Sequence, residues 1–264
     1  MQIGWWEDFF SGVALDLWRQ AMTEEGTRAE ADFIQKLLGF PPEAKVLDVP
    51  CGEGRLSREL ASRGYQMTGT DIALPFLEEA KLKAGDRHLK IVWEHRDMRN
   101  LPWQEEFDGA FCFGGSFGYF DDVGNANFLK SVARALKSGA RFILDASRVA
   151  ELILPKFRER EWAKVGDILF LEENRYDHIQ GRMDTEYTFV REGKVEKRFS
   201  SERVYTYREH CRLLEEAGFA NCEGYASLHQ DPFKLGSERL FLAATKKREC
   251  GGNQPTSLNA LPTR

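Results

Sequence analysis

Val46-Leu47-Asp48-Val49-Pro50-Cys51-Gly52-Glu53-Gly54-Arg55 is the stretch on which the reading of this chain turns. It is a short apolar run, a carboxylate, two glycines one residue apart, and the start of a helix-forming segment near Arg55 and Leu56. That is a buried strand, a tight turn and a helix. The arrangement puts backbone N–H groups and bare glycine backbone at the carboxyl end of a strand, where open α/β sheets bind nucleotide-like ligands.

The same rhythm continues downstream. Strands are expected at 65–71, 91–95, 107–113 and 141–145, with helices at 56–63, 74–84 and 125–136 between them. Strands alternating with helices at this spacing imply parallel pairing, right-handed crossovers and helices on both faces. The pattern then breaks. Three β-like runs, 168–176, 183–191 and 195–207, are separated by turns at His178–Gly181 and Glu192-Gly193. They predict an antiparallel meander inserted after the fifth strand and lying over one edge of the sheet. A helix at 208–217 and strands near 220–227 and 239–245 complete the sheet.

The expected organisation is therefore an N-terminal helical lid (1–40), an α/β core (41–150), an antiparallel β insertion (151–207), the end of the core (208–246) and a flexible tail (247–264). In the first segment, Thr27-Arg28 falls early in a helix that could bring Arg28 towards a ligand carboxylate.

Composition narrows the class of partner. The chain has 264 residues, 42% apolar and 30% charged, with a net charge of −5, which suits a soluble globular protein and weighs against non-specific binding to nucleic acid or membrane. The N-terminus lacks a basic segment followed by an apolar one, so no signal peptide is expected, and no run approaches the roughly 20 apolar residues of a membrane span. The five cysteines, Cys51, Cys112, Cys211, Cys222 and Cys250, show no C-x-x-C spacing. They read as reduced thiols of a cytoplasmic protein, without disulfides or a bound metal.

Two ligands compete for the glycine turn. Gly52 and Gly54, with Asp71 about 20 residues on, partly satisfy a dinucleotide fingerprint, but Ser57 occupies the third glycine position. Asp48 and Glu53 would also flank a doubly negative pyrophosphate, which is unfavourable. A nucleoside bearing an ammonium group and no phosphate fits better, and S-adenosyl-L-methionine is one. Asp48 would face its ammonium, Gly52 and Gly54 would admit the methionine and ribose portions, and Asp71 would receive the ribose hydroxyls. Ile72 would lie against adenine, Asp97 would accept the adenine N6 protons, and the Met98 N–H would reach a ring nitrogen. Each acidic residue follows its own predicted strand.

With Thr68-Gly69-Thr70-Asp71-Ile72, Arg96-Asp97-Met98, Phe107-Asp108 and Ala135-Leu136-Lys137-Ser138-Gly139-Ala140 in this order, the chain resembles class I S-adenosylmethionine-dependent methyltransferases. It is most similar to the small-molecule members with a β insertion after strand five. It departs from their glycine motif at Pro50, which stands where the first glycine falls and lacks an N–H, and continues through Cys51. The resemblance implies a Rossmann-like seven-stranded sheet with helices on both faces. It also implies methyl transfer to N, O or C of a small-molecule acceptor by in-line displacement.

The resemblance further points the methyl group at the loop after strand four. There the Cys112 carbonyl would accept from the cofactor ammonium, and Ser116, Phe117 and Tyr119 would line the acceptor site, Tyr119 also being a candidate catalytic group. His229 is the preferred general base among His95, His178, His210 and His229, and Arg148 and Arg175 would bind an acidic acceptor. The chain would act as a monomer or as a homodimer paired through the insertion. Two alternatives stay open: a cofactor-binding protein without transferase activity, and an NAD(P)-dependent oxidoreductase.

Overall fold

Val46 and Leu47 point to opposite faces of their strand, and both are fully buried. A strand covered on both sides belongs in the middle of a sheet. In a computed structural model that describes residues 4–248, β1 (Lys45–Asp48) lies between β2 (Gln66–Asp71) and β4 (Phe107–Cys112), parallel to both. The sheet has seven strands in the order β10-β11-β5-β4-β1-β2-β3, with β3 at Ile91–His95 and β5 at Leu136–Ala146. β10 (Phe219–Tyr225) and β11 (Leu240–Lys246) close it, and β11 runs antiparallel to both β5 and β10. The segment joining β10 to β11 contains no helix, and a parallel pair would need a long crossover.

Helices cover both faces. α3 (Glu24–Leu38) and α4 (Arg55–Ser62) bury Phe33, Ile34, Leu37, Leu56 and Leu60 against Val46, Phe111, Ile143 and Phe241. On the other face α6 (Asp122–Ala135) and α8 (Tyr207–Glu216) bury Phe128, Leu129, Val132, Leu213 and Leu214 against Leu47, Phe107, Phe142 and Leu242. α5 (Leu74–Asp86) follows β2. A four-residue α7 (Ala150–Ile153) follows β5. β5 starts earlier than the sequence predicts: Leu136 already pairs with Phe107, where a helix end and turn were expected.

The insertion is a separate antiparallel sheet of four strands: β6 (Arg160–Val165), β7 (Ile168–Asp177), β8 (Arg182–Arg191) and β9 (Lys194–Arg203). β6 has no counterpart in the sequence reading because its residues are almost all exposed, so no alternation marks it. The sheet lies not over an edge of the large sheet but above the carboxyl ends of its central strands. The Arg203 N–H donates to the Gly118 carbonyl at 2.7 Å and Arg182 Nη1 to the Phe120 carbonyl at 2.9 Å, both in the loop after β4.

Two short N-terminal helices, α1 (Trp5–Phe9) and α2 (Gly12–Ala21), pack on this second sheet through Trp5, Phe9, Val13 and Leu17 against Ile168, Tyr187 and Phe189. The expected lid of residues 1–40 is thus divided. α1 and α2 meet the insertion, whereas α3 is part of the main core. Residues 249–264, most of the expected tail, and Cys250 lie outside the described residues. Among the described residues no helix is long and apolar enough to cross a membrane.

Candidate functional site

A cavity of about 460 Å³ opens where the carboxyl ends of β1, β2 and β4 meet α1, α2 and the insertion sheet. Its floor is the glycine turn. Asp48 is 2% exposed, and its Oδ2 accepts from Ser57 Oγ at 2.7 Å. Burial pushes its carboxyl up to about 7, with the Ser57 hydrogen bond and the nearby Arg55 charge opposing. Ser57, which spoils the dinucleotide fingerprint, is therefore the residue that holds Asp48.

The two glycines have different tasks. Gly52, at φ +53°, lines the cavity, and a Cβ there would meet open space. Gly54, at φ +72°, faces inward: a Cβ would fall 2.2 Å from Trp93 Cη2. It opens α4 by packing closely on β3 and does not line the cavity, contrary to the expectation that it admits the ligand. Pro50 and Cys51 stand on the cavity wall, and the Cys51 N–H donates to the Thr70 carbonyl at 2.9 Å, so the turn is fastened to β2.

Asp71 closes the next side. Its Oδ2 accepts from the Gly52 N–H and its Oδ1 from the Ala73 N–H, each at 2.8 Å, leaving a second lone pair on each oxygen. Burial raises its carboxyl from the ordinary range. Ile72, Asp97 and Met98 line the cavity beyond it. Asp97 is pinned by Arg99, whose N–H and Nε reach its Oδ1 at 2.8 and 3.0 Å, and this pairing holds its carboxyl low despite partial burial.

Glu53 corrects part of the charge argument. Its carboxylate is bound by Arg58 at 2.9 Å and Lys83 at 3.0 Å, so the unbalanced negative charge at the turn belongs to Asp48. The cation facing Asp48 is Arg55, held by Glu30 at 2.6 Å and by Thr27 Oγ1 at 3.2 Å. Arg28 itself is exposed beside Glu24 and stays away from the cavity, so the cation from this region is Arg55.

The loop after β4 divides the remaining expectations. Gly114, Gly115, Ser116 and Tyr119 line the cavity. Cys112 is fully buried in the core behind them, and Phe113 takes the lining position. Phe117 also turns into the core, between Phe128, Tyr205 and His210. Arg148 does reach the cavity, but it is already engaged: Nη2 lies 3.2 Å from Glu202 Oε1 and 3.2 Å from the Tyr187 hydroxyl. That ion pair raises its guanidinium pKa and cancels the free cation expected for an acidic acceptor.

Arg175 is on the outer side of the insertion sheet, paired with Asp184 at 2.7 Å and 78% exposed. His229 is exposed in a turn after β10, the edge strand, where its N–H meets Ser227 Oγ. Neither lines the cavity.

Several lining residues escaped the sequence reading. Trp5, Phe9, Glu172, Tyr187, Ser200 and Glu202 all face the cavity. Register brings the strand residues together: Glu172 lies opposite Tyr187, and Ser200 opposite Thr185 two places along the same face of β8. The alternation of Thr185, Tyr187 and Phe189 was visible, but not what that face would meet. Trp5 packs edge-on to Tyr119 at 4.6 Å, and Phe9 to Tyr187 at 5.3 Å.

Comparison with known proteins agrees with this architecture. Residues 46–139 match the family described as methyltransferase domain. Over 220 residues the chain is 26% identical to YqeM of Bacillus subtilis (strain 168), named as a methyltransferase, covering 79% of this chain and 87% of that protein. An S-adenosylmethionine-dependent methyltransferase from Clostridium acetobutylicum superposes with a TM-score of 0.76 at 21% identity, covering 89% of this chain and 96% of that one. The CcbJ methyltransferase from Streptomyces caelestis does so at 0.78 and 16%, covering 92% and 98%. At such identities the two structures speak for the fold.

Proposed function

We propose that this chain is a class I S-adenosylmethionine-dependent methyltransferase that methylates a small molecule bound between the loop after β4 and the insertion sheet. The observation that carries the reading is the continuity of one cavity. It runs from a turn suited to an amino-acid zwitterion to an aromatic-walled chamber closed over by α1, α2 and β7–β9. A long polymer would need an open groove.

The residues present fit S-adenosylmethionine. Asp48, costly to ionise when buried alone, gains a partner in the cofactor ammonium. Arg55 at the start of α4, shared with Glu30, lies on the side where the carboxylate would sit, and Gly52 leaves open space for the chain between them. The spare lone pairs of Asp71 suit the two ribose hydroxyls. Ile72 and Met98 supply apolar faces for adenine, and Asp97 an acceptor for its amino group. When bound, the cofactor supplies an electrophilic methyl on a sulfonium. The protein's own contribution is to orient the acceptor in line and exclude water, and orientation of this kind can supply about 7–11 kcal/mol.

Ser116 and Tyr119 are assigned to the acceptor side. α1 and α2 with the insertion form the cover that closes it. Isothermal titration of S-adenosylhomocysteine tests the cofactor site. Binding is expected, with a loss of about tenfold or more in Asp71→Ala from two charge-assisted contacts. No binding of S-adenosylhomocysteine by the intact chain would sink the reading, and unchanged affinity in Asp71→Ala would remove Asp71 from the ribose role.

A further inference from the structure

The acceptor end of the cavity has an unusual charge balance. Glu172 of β7 and Glu202 of β9 both face it, with Arg148 as the cation between the strands and the loop after β5. Arg148 is committed to Glu202 and Tyr187. Glu202 is further held by Ser200 Oγ at 3.4 Å. Glu172 makes no salt bridge among the described residues. Of the charged groups around it, Glu161 on β6 and Glu202 are like-charged and Arg148 opposes them, with the Asn174 side chain also favouring the ionised form. Burial, with these like-charged neighbours adding to it, raises its carboxyl from the ordinary value.

The walls are aromatic. Trp5, Phe9, Tyr119 and Tyr187 form one edge-to-face train beside the two carboxylates. Aromatic faces next to an unpaired carboxylate favour a cation and disfavour an anion. We propose that the methyl acceptor is a small primary or secondary amine, seated as its ammonium by Glu172 and the aromatic wall. This rests on the methyltransferase reading above and deepens it.

The chemistry balances with groups on the page. An ammonium nitrogen has no lone pair to attack with. Its proton passes to the Glu172 carboxylate, and the freed lone pair forms the N–C bond to the methyl carbon. The S–C bond breaks with its electron pair retained on sulfur, yielding S-adenosylhomocysteine and an N-methylated ammonium product. Glu172 then returns its proton to solvent.

The test uses the full chain saturated with S-adenosylhomocysteine. Matched amine, alcohol and carboxylate probes on the same skeletons (2-phenylethylamine, 2-phenylethanol and phenylacetate, with the cyclohexyl analogues) are titrated calorimetrically. The amine of each set is expected to bind at least about tenfold more tightly than its alcohol, and the carboxylate not at all. Glu172→Gln is expected to erase most of that preference while S-adenosylhomocysteine affinity stays within about twofold, which also reports that the variant is folded. Glu202→Gln, which frees Arg148, is expected to admit the carboxylate.

A carboxylate or alcohol preferred over the amine, no amine binding in either set, or an amine preference untouched by Glu172→Gln would each overturn the proposal. Failure to bind S-adenosylhomocysteine would instead overturn the methyltransferase site, so the two outcomes are distinguishable.

Discussion

Asp48→Asn is the perturbation that exposes most about the proposed cofactor site, because Asp48 is costly to ionise in the cofactor-free protein and, in the proposed reading, gains its partner in the loaded one. Moving a buried carboxyl from the ordinary 3.8 to about 7 means that holding it ionised costs the folded state about 4 kcal/mol above neutrality. For an acid whose folded pKa is raised, the stabilising contribution is complete below about pH 4 and is lost as pH rises through about 7. Cofactor-free stability should therefore fall across that window. Asp71 and Asp145, also raised by burial, push the same way, so the variant is needed to isolate Asp48.

Asparagine keeps an oxygen for Ser57 Oγ but adds two N–H donors that need partners, a cost of about 1–3 kcal/mol. The expected net gain is about 1–3 kcal/mol near pH 8, vanishing near pH 5, or about 2–4 °C in Tm per kcal/mol. Binding should move oppositely. The variant should lose about 10–100-fold in S-adenosylhomocysteine affinity, and the wild type about tenfold between pH 8 and pH 6. Thermal denaturation and titration calorimetry over that pH range read both effects. If Asp48→Asn is no more stable near pH 8, or binds S-adenosylhomocysteine as well as the wild type at every pH, the account of this carboxylate is wrong.

The two glycines of the turn should separate stability from binding. Gly54→Ala should lower stability by about 2–4 kcal/mol because its Cβ collides with Trp93, and urea melts at unchanged midpoint would contradict this. Gly52→Ala should lose only about 1–2 kcal/mol of stability from its positive φ, yet weaken S-adenosylhomocysteine by tenfold or more, as its methyl enters the cavity. Cys211 and Cys222 bring their sulfurs within 2.7 Å between α8 and β10, and Cys222 and Tyr207 pull the Cys211 thiol down to about 7. Iodoacetamide should alkylate Cys211 before the buried Cys51 and Cys112, whose thiols burial pushes up; peptide mapping that finds Cys51 first would refute it. His229→Ala and Arg175→Ala should leave S-adenosylhomocysteine affinity and thermal stability within about 0.5 kcal/mol of wild type, since both side chains are at the surface.

The end of the cavity proposed for the cofactor was legible as a cluster of residues because it is built locally. Asp48, Asp71 and Asp97 each follow their own strand, and the parallel α/β rhythm alone brings those strand ends together. Where local reading erred, packing had decided. Gly54 and Gly52 are the same letter, but only β3 beneath the turn assigns one to Trp93 and leaves the other facing the open cavity. Phe117 and Tyr119 are two residues apart, but the loop sends one to the core and the other to the cavity. His229 was plausible from its place after a strand, but that strand is the edge one, far along the sheet order from β1 and β4.

The sequence by itself determined the α/β core, the central place of Val46–Asp48 and the acidic character of the turn, since hydrophobic periodicity and turn chemistry act over a few residues. Only the tertiary structure decided the end of the cavity proposed for the acceptor. Glu172, Tyr187 and Glu202 sit on three strands, and Arg148 and Trp5 come from outside that sheet. Antiparallel register and the seating of α1 on the insertion bring them together, and long-range contacts of this kind leave no period in the chain.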